Sequence, residues 1–182
     1  MVARAWPLPN VWAGVSVEDQ KRADERIPQL LRVPAAVRWI SAEPLLGPVD
    51  LVSAGAIWSN MNGNIINSPR SGLRGVDWIV AGGESGPGTR PMHPDWARSL
   101  RDQCATASVP FLFKQWGAWL PVETDEPGDG DCYAIADDGS DRELSGRHEL
   151  TSIGVQEFLC VGKKAAGREL DGRTHDEFPE VQ

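Results

Sequence analysis

Three carboxylates and one ammonium group carry the chemistry that is easiest to place in this chain. Glu18, Glu43, Glu84 and Lys114 each stand at the polar end of a short apolar run: VWAGVSVED (Val11 to Asp19), VRWISAEP (Val37 to Pro44), DWIVAGGES (Asp77 to Ser85) and PFLFKQW (Pro110 to Trp116). Glu43 is followed by Pro44, which fixes the direction in which the chain leaves. A carboxylate so placed can act as a general base, bind a cation, or pair with Lys114, since a partly buried charge needs a partner. Glu43 and Lys114 are the candidate catalytic pair, with Glu18, Ser41, Arg90 and Gln115 as candidate substrate contacts.

The segment AGGESGPGTRPMHPDW holds a second constellation. Gly82, Gly83, Gly86 and Gly88 follow an expected strand and precede an expected helix, a setting in which glycines let backbone N–H groups approach a ligand. No Gly-Lys-Ser/Thr follows, and the spacing is not G-x-G-x-x-G, so neither nucleotide-phosphate signature is present. Glu84 would repel phosphate but suit an ammonium group or ribose hydroxyls. Gly82, Gly83, Glu84 and Ser85 are therefore candidate cofactor contacts. The same residues would also serve a tight turn whose glycines only pack and whose Glu84 caps backbone donors.

These tips need elements to hold them, and runs so short and so rich in Val, Ile, Trp and Phe predict strands buried on both faces, as in parallel α/β sheets. The C-terminal ends of such strands are where active centres gather. Ala23, Ile27, Leu30 and Leu31 recur at helical spacing after the first run, and Trp96, Leu100 and Cys104 do so after the third. Right-handed crossovers follow. The second connection, rich in Gly, Asn, Ser and Pro, predicts a long loop with a small hairpin from Ile57 to Ile66, its tip near Asn62-Gly63. From residue 123 the chain turns acidic and turn-rich, and CYAIA before Asp137-Asp138-Gly139 predicts another hairpin. Lys163, Lys164 and Arg168 form a late basic cluster, suited to an anionic substrate or to a solvated turn. Residues 1–122 thus read as α/β, and 123–182 as an acidic insertion and tail.

Composition narrows the classes. A net charge of -8 over 182 residues argues against a nucleic-acid coat or a polybasic membrane binder. No apolar stretch has the length of a signal core or a membrane span, so a cytoplasmic protein is expected. Cys104, Cys132 and Cys160 lack CxxC spacing, and His93, His148 and His175 lie in separate segments, so no metal site is visible in the chain itself.

Taken in order, VWAGVSVEDQ, RWISAEPLLGPVDL, VDWIVAGGESGPGTRPMHPDWARSLRDQC, VPFLFKQWG and VGKKAAGRELDGRTHDEFP resemble the C-terminal half of the phage gene product 37 and gene product 68 family. That radical-SAM-like group carries a three-cysteine motif. The resemblance implies a partial (β/α) barrel, mostly parallel, here lacking its N-terminal strands and ending in a hairpin and loop extension. It implies a CxxxCxxC loop holding a 4Fe–4S cluster, and S-adenosylmethionine as cosubstrate, for the full-length family. None of the three cysteines here sits in such a motif, and three thiolates are needed to hold a cluster with one iron open. Gly82-Gly83-Glu84 resembles the family motif that contacts the methionyl amine, though it follows a late strand rather than an early one. The expectation is the C-terminal half of a phage or prophage radical-SAM-like protein. It would be inactive without a cluster-bearing N-terminal half, its partner being that half or a second copy at the open barrel edge. The alternatives are a non-catalytic, phage-associated binding or assembly module, and a cluster-free hydrolase using Glu43 and Glu84 as paired carboxylates.

Overall fold

The four apolar runs form one parallel sheet, and their order in space follows their order in the chain. The computed structural model describes residues 6–60, 62–67, 75–122, 132–136, 141–144 and 155–180. Its elements are β1 (Trp12–Ser16), α1 (Gln20–Leu31), β2 (Val37–Ala42), β3 (Trp58–Ser59), β4 (Ile65–Ile66), β5 (Trp78–Gly82) and α2 (Pro94–Ala107). Then come β6 (Phe111–Gln115), β7 (Trp119–Val122), β8 (Cys132–Ala136), β9 (Asp141–Leu144), β10 (Val155–Cys160) and α3 (Lys163–Ala166). The fold is mixed α/β, with a parallel sheet in the order β1-β2-β5-β6.

Local chemistry sets the helix starts. Asp19 caps α1 by accepting from the Arg22 N–H at 2.8 Å, and His93 Nδ1 caps α2 by accepting from the Asp95 N–H, with Pro94 in the first turn. Ser108, at φ 56°, ends α2 in the left-handed region. Ala23, Ile27 and Leu30 of α1 and Trp96, Ala97, Leu100 and Cys104 of α2 are buried in one apolar cluster with Ile40, Ala42, Ile79, Ala81, Phe111 and Phe113. Those sheet residues share one face by the alternation of side chains along strands, so both helices pack on that face. A buried Leu or Ile in such a cluster contributes roughly 1.5–3 kcal/mol.

The opposite face carries Trp12, Gly14 and Ser16 of β1, Trp39 and Ser41 of β2, Trp78 and Val80 of β5, and Leu112 and Lys114 of β6. Indoles crowd its N-terminal end: Trp12 meets Trp78 edge-on at 6.0 Å between ring centroids, and Trp39 lies 5.7 Å from Trp78. Gly14 leaves room for the Trp39 ring, which a Cβ there would overlap.

The two sheet edges differ. At β6 the chain's end returns as an antiparallel piece: the Phe113 N–H donates to the His175 carbonyl at 3.0 Å, and Glu177 N–H to the Phe111 carbonyl at 3.3 Å. Phe178 then stacks on Trp78 at 4.8 Å, and the Trp78 indole N–H donates to the Glu177 carbonyl. At β1 no strand is added among the described residues.

The second connection forms the expected small hairpin: β3 and β4 pair antiparallel, with Asn60 Oδ1 accepting from the Asn62 and Asn64 N–H groups. β7, β10, β8 and β9 make a second sheet, antiparallel throughout, which straddles residue 122. The β8–β9 pairing supplies the hairpin expected after CYAIA, while its turn at Asp137-Asp138-Gly139 lies outside the described residues, as does the acidic stretch 123–131. Among the described residues no helix is long and apolar enough to cross a membrane.

Candidate functional site

Glu43 and Lys114 meet on the helix-free face at the C-terminal rim of the parallel sheet. Their strands are not neighbours, for β5 runs between β2 and β6. The gap is bridged over Gly82: a Cβ there would lie 2.5 Å from Glu43 Oε1, so the carboxylate lies flat across the position where a side chain would stand. Lys114 Nζ reaches Glu43 Oε2 at 3.0 Å. After Glu43 the peptide to Pro44 is cis, and the Leu45 N–H donates to the Gly82 carbonyl at 3.0 Å, carrying β2's exit over the end of β5. The Glu43 side chain is 16 % exposed and that of Lys114 53 %, so one partner is seated in the sheet and the other reaches from solvent. A pair open to solvent in this way is worth about 0–1 kcal/mol, and it exchanges partners at little cost.

Glu84 is committed differently. Its Oε2 accepts from the Arg90 N–H at 2.9 Å and Arg90 Nε at 3.1 Å, and its Oε1 from Arg90 Nη2 at 3.0 Å. The Arg90 hydrogen bonds hold the carboxyl below the usual carboxylate range. Such bidentate, charge-assisted bonds are about twice as strong as neutral ones. Gly83 lies against the Trp116 carbonyl so closely that a Cβ would collide with backbone, and Gly117, at φ 86°, approaches Glu84 from the other side.

The remaining candidates distribute around the rim. Glu18 takes both carboxylate oxygens to Arg26 Nη1, at 3.1 and 3.0 Å, and the same guanidinium donates to the Ser16 carbonyl on β1's outer edge. Ser41 faces the same side as Lys114, in register with Ser16, and its carbonyl accepts from the Val17 N–H. Ser85 is exposed in the loop beyond Glu84. Gln115 is buried, its Nε2 pointing to the Gly83 carbonyl at 3.5 Å and its Oε1 enclosed without a partner among the described residues. The sheet thus brings Glu43, Lys114, Gly82 and Ser41 to one face, while Glu18, Glu84 and Arg90 are held in pairs of their own. Sequence reasoning missed Arg26, whose spacing of eight from Glu18 is the one available signal. It also missed Ser16, which only the register aligns with Ser41.

The late basic cluster falls outside this rim. Lys163 and Lys164 open α3, and Arg168 pairs with Asp176. Arg168 lines a groove with Arg98, Trp116, Leu120 and Asp171. There Asp171 pairs with both Arg98 and Arg101.

Among the described residues the donor set does not fit an iron–sulfur cluster. Cys104 is fully buried on α2 and burial pushes its thiol well up, whereas Cys160 is exposed on β10 in the other sheet. Among the described residues no group of three His, Cys, Asp or Glu side chains could hold a metal ion. The Cys132 side chain lies outside the described residues.

A protein-family model described as "Protein of unknown function (DUF5131)" matches residues 1–179, and the chain belongs to that family. No curated protein and no solved structure matches it.

Proposed function

We propose that this member of the DUF5131 family is one half of a (β/α)-barrel enzyme, the C-terminal half of a phage or prophage radical-SAM-like protein. The cluster and the opposite pocket wall would come from a second polypeptide segment. What supports this reading is the one-directional march of the parallel strands. β1, β2, β5 and β6 follow one another in space as in the chain, both helices cover one face, and the Glu43–Lys114 pair sits on the other at the C-terminal rim. In a (β/α) barrel that bare face is the interior and that rim is the active side. Glu43 and Lys114 then line the pocket, with Ser41 beside them, and orient polar groups of the substrate. S-adenosylmethionine would be the cosubstrate, as the family resemblance implies. Cys104 on α2 and Cys160 on β10 lie in separate elements, so no step is assigned through the cluster.

The deciding experiment joins the chain to a polypeptide carrying a CxxxCxxC loop and reconstitutes the complex with iron and sulfide. S-adenosylmethionine cleavage under reducing conditions is expected, falling on Glu43→Gln substitution. A stable complex that never cleaves it removes the enzyme reading.

A second reading has its own support. The helix-free face carries the half-buried Trp12, Trp39 and Trp78, with the exposed Phe178 on Trp78, beside a β1 edge that no strand extends among the described residues, a surface that suits a protein partner without any catalysis. A stoichiometric complex that forms equally well with Glu43→Gln, and has no cofactor dependence, favours that assembly module.

A further inference from the structure

We infer that the 83–90 loop is the joint between the two sheets rather than a ligand loop, and that charged recognition on this rim falls to Glu43 and Lys114, which suit a ligand bearing an ammonium beside a carboxylate, the headgroup of an α-amino acid. This deepens the proposed pocket and rests on it.

The polar groups at the two ends of the loop, on Gly83, Glu84, Thr89 and Arg90, are committed to architecture. The Gly83 N–H donates to the Gln115 carbonyl at 2.9 Å, tying the loop to β6. The Glu84 carbonyl accepts from the Ala118 N–H at 2.9 Å, and Thr89 takes the Trp119 indole N–H on its carbonyl at 2.8 Å and its hydroxyl at 3.1 Å, tying the loop to β7. The Ala118 carbonyl in turn accepts from the Val161 and Gly162 N–H groups, where β10 ends. At both Gly83 and Gly117 backbone meets backbone too closely for any Cβ. A ligand ammonium at Glu84 would meet a carboxylate whose charge is already matched by Arg90 through three hydrogen bonds.

Glu43 and Lys114 have capacity to spare. Glu43 uses Oε2 on Lys114, while Oε1 lies over Gly82 with no donor among the described residues. Lys114 uses one of its three donors. The Ser41 hydroxyl, on the same face, makes no hydrogen bond among the described residues and can accept or donate. Charge balance selects the ligand. A simple anion on Lys114 would leave Glu43 Oε1 unmet, and a simple cation on Glu43 would leave the spare Lys114 donors unmet. A zwitterion meets both, its ammonium on Glu43 Oε1 and its carboxylate on Lys114, so that neither protein charge loses a partner.

The test titrates the full chain with S-adenosylmethionine, L-methionine and adenosine while amide signals are followed by NMR. The first two should shift Gly82 and Leu45, whose backbones adjoin the Glu43 carboxylate, and adenosine should not. Glu43→Gln and Lys114→Met should each weaken binding by at least about tenfold, whereas Glu84→Gln should stay within about twofold while lowering the melting temperature. Should Glu84→Gln fail to fold, Arg90→Lys frees part of the Glu84 carboxylate and should not tighten binding. Binding lost in Glu84→Gln but kept in Glu43→Gln, tighter binding in Arg90→Lys, or no saturable shift with any probe overturns the inference. The barrel reading falls by a separate result, the absence of cleavage in the reconstituted complex.

Discussion

Gly82 and Gly83 are adjacent and both lack room for a Cβ, yet what would be struck differs, and so do the consequences of substitution. At Gly83 the obstacle is the Trp116 backbone carbonyl, which is itself fixed between β6 and β7. Gly83→Ala should therefore cost at least about 1–3 kcal/mol, read as a lower urea midpoint at unchanged slope. At Gly82 the obstacle is the end of the Glu43 side chain, which can swing away. Gly82→Ala should keep stability within about 1 kcal/mol while removing the coupling between Glu43 and Lys114, measured by double-mutant cycles run with and without that substitution. The Glu43–Lys114 pair is legible in the sequence as one of three readings of a carboxylate at a strand end. What makes it possible is not, because the pair spans an intervening strand and only the bare Gly82 lets it do so. The Glu84–Arg90 clamp is half legible: a capping role for Glu84 follows from its turn, but its partner lies six residues on, along a path no periodicity records.

Secondary-structure elements are the most readable level where apolar spacing carries the signal, as in α1, α2 and the four parallel strands. The antiparallel return of residues 175–177 along β6 escapes, because DGRTHDEFP has neither alternation nor a helical repeat and is held by backbone and charge contacts. His175 is 3 % exposed there, edge-on to Phe111 at 5.7 Å, with Arg173 Nε 3.3 Å from its Nε2. Burial first, and the Arg173 charge second, push its ionisation below the ordinary 6.5. Arg101 opposes protonation as well, while the Leu170 backbone and Glu177 favour it. A histidine with a depressed folded value stabilises the fold above 6.5, and that contribution is lost as pH falls through the folded value. The Arg101 hydrogen bond, and then that of Arg98, hold Asp171 low, which removes stability in the same direction further into acid. The melting temperature should thus drop between pH 7.5 and pH 5, and His175→Gln should flatten that part of the curve. Deleting residues 173–182 should uncover β6 and produce concentration-dependent association, visible by sedimentation, since an unpaired strand edge is a template for pairing.

Across the whole molecule the two edges of the parallel sheet settle where a partner can add. β6 is occupied by residues 175–177, whereas alternation along β1 turns the backbone groups of Trp12, Gly14 and Ser16 outward, and among the described residues only the Ser16 carbonyl of these is met, by Arg26. Among the described residues growth of the sheet is therefore one-sided, and any added strand would extend both of its faces, the helix-free one included. The indoles of that face, Trp12, Trp39 and Trp78, are half-buried, so each leaves part of a ring for an added strand to cover. Trp12 sits at the junction of edge and face, T-shaped against Trp78, so a charge there penalises strand addition with little disturbance of the helical core. Trp12→Arg should abolish co-purification with a strand-supplying partner while the far-ultraviolet circular dichroism stays unchanged. If the complex survives that substitution intact, the partner joins elsewhere and the bare face is not the interior of a shared barrel.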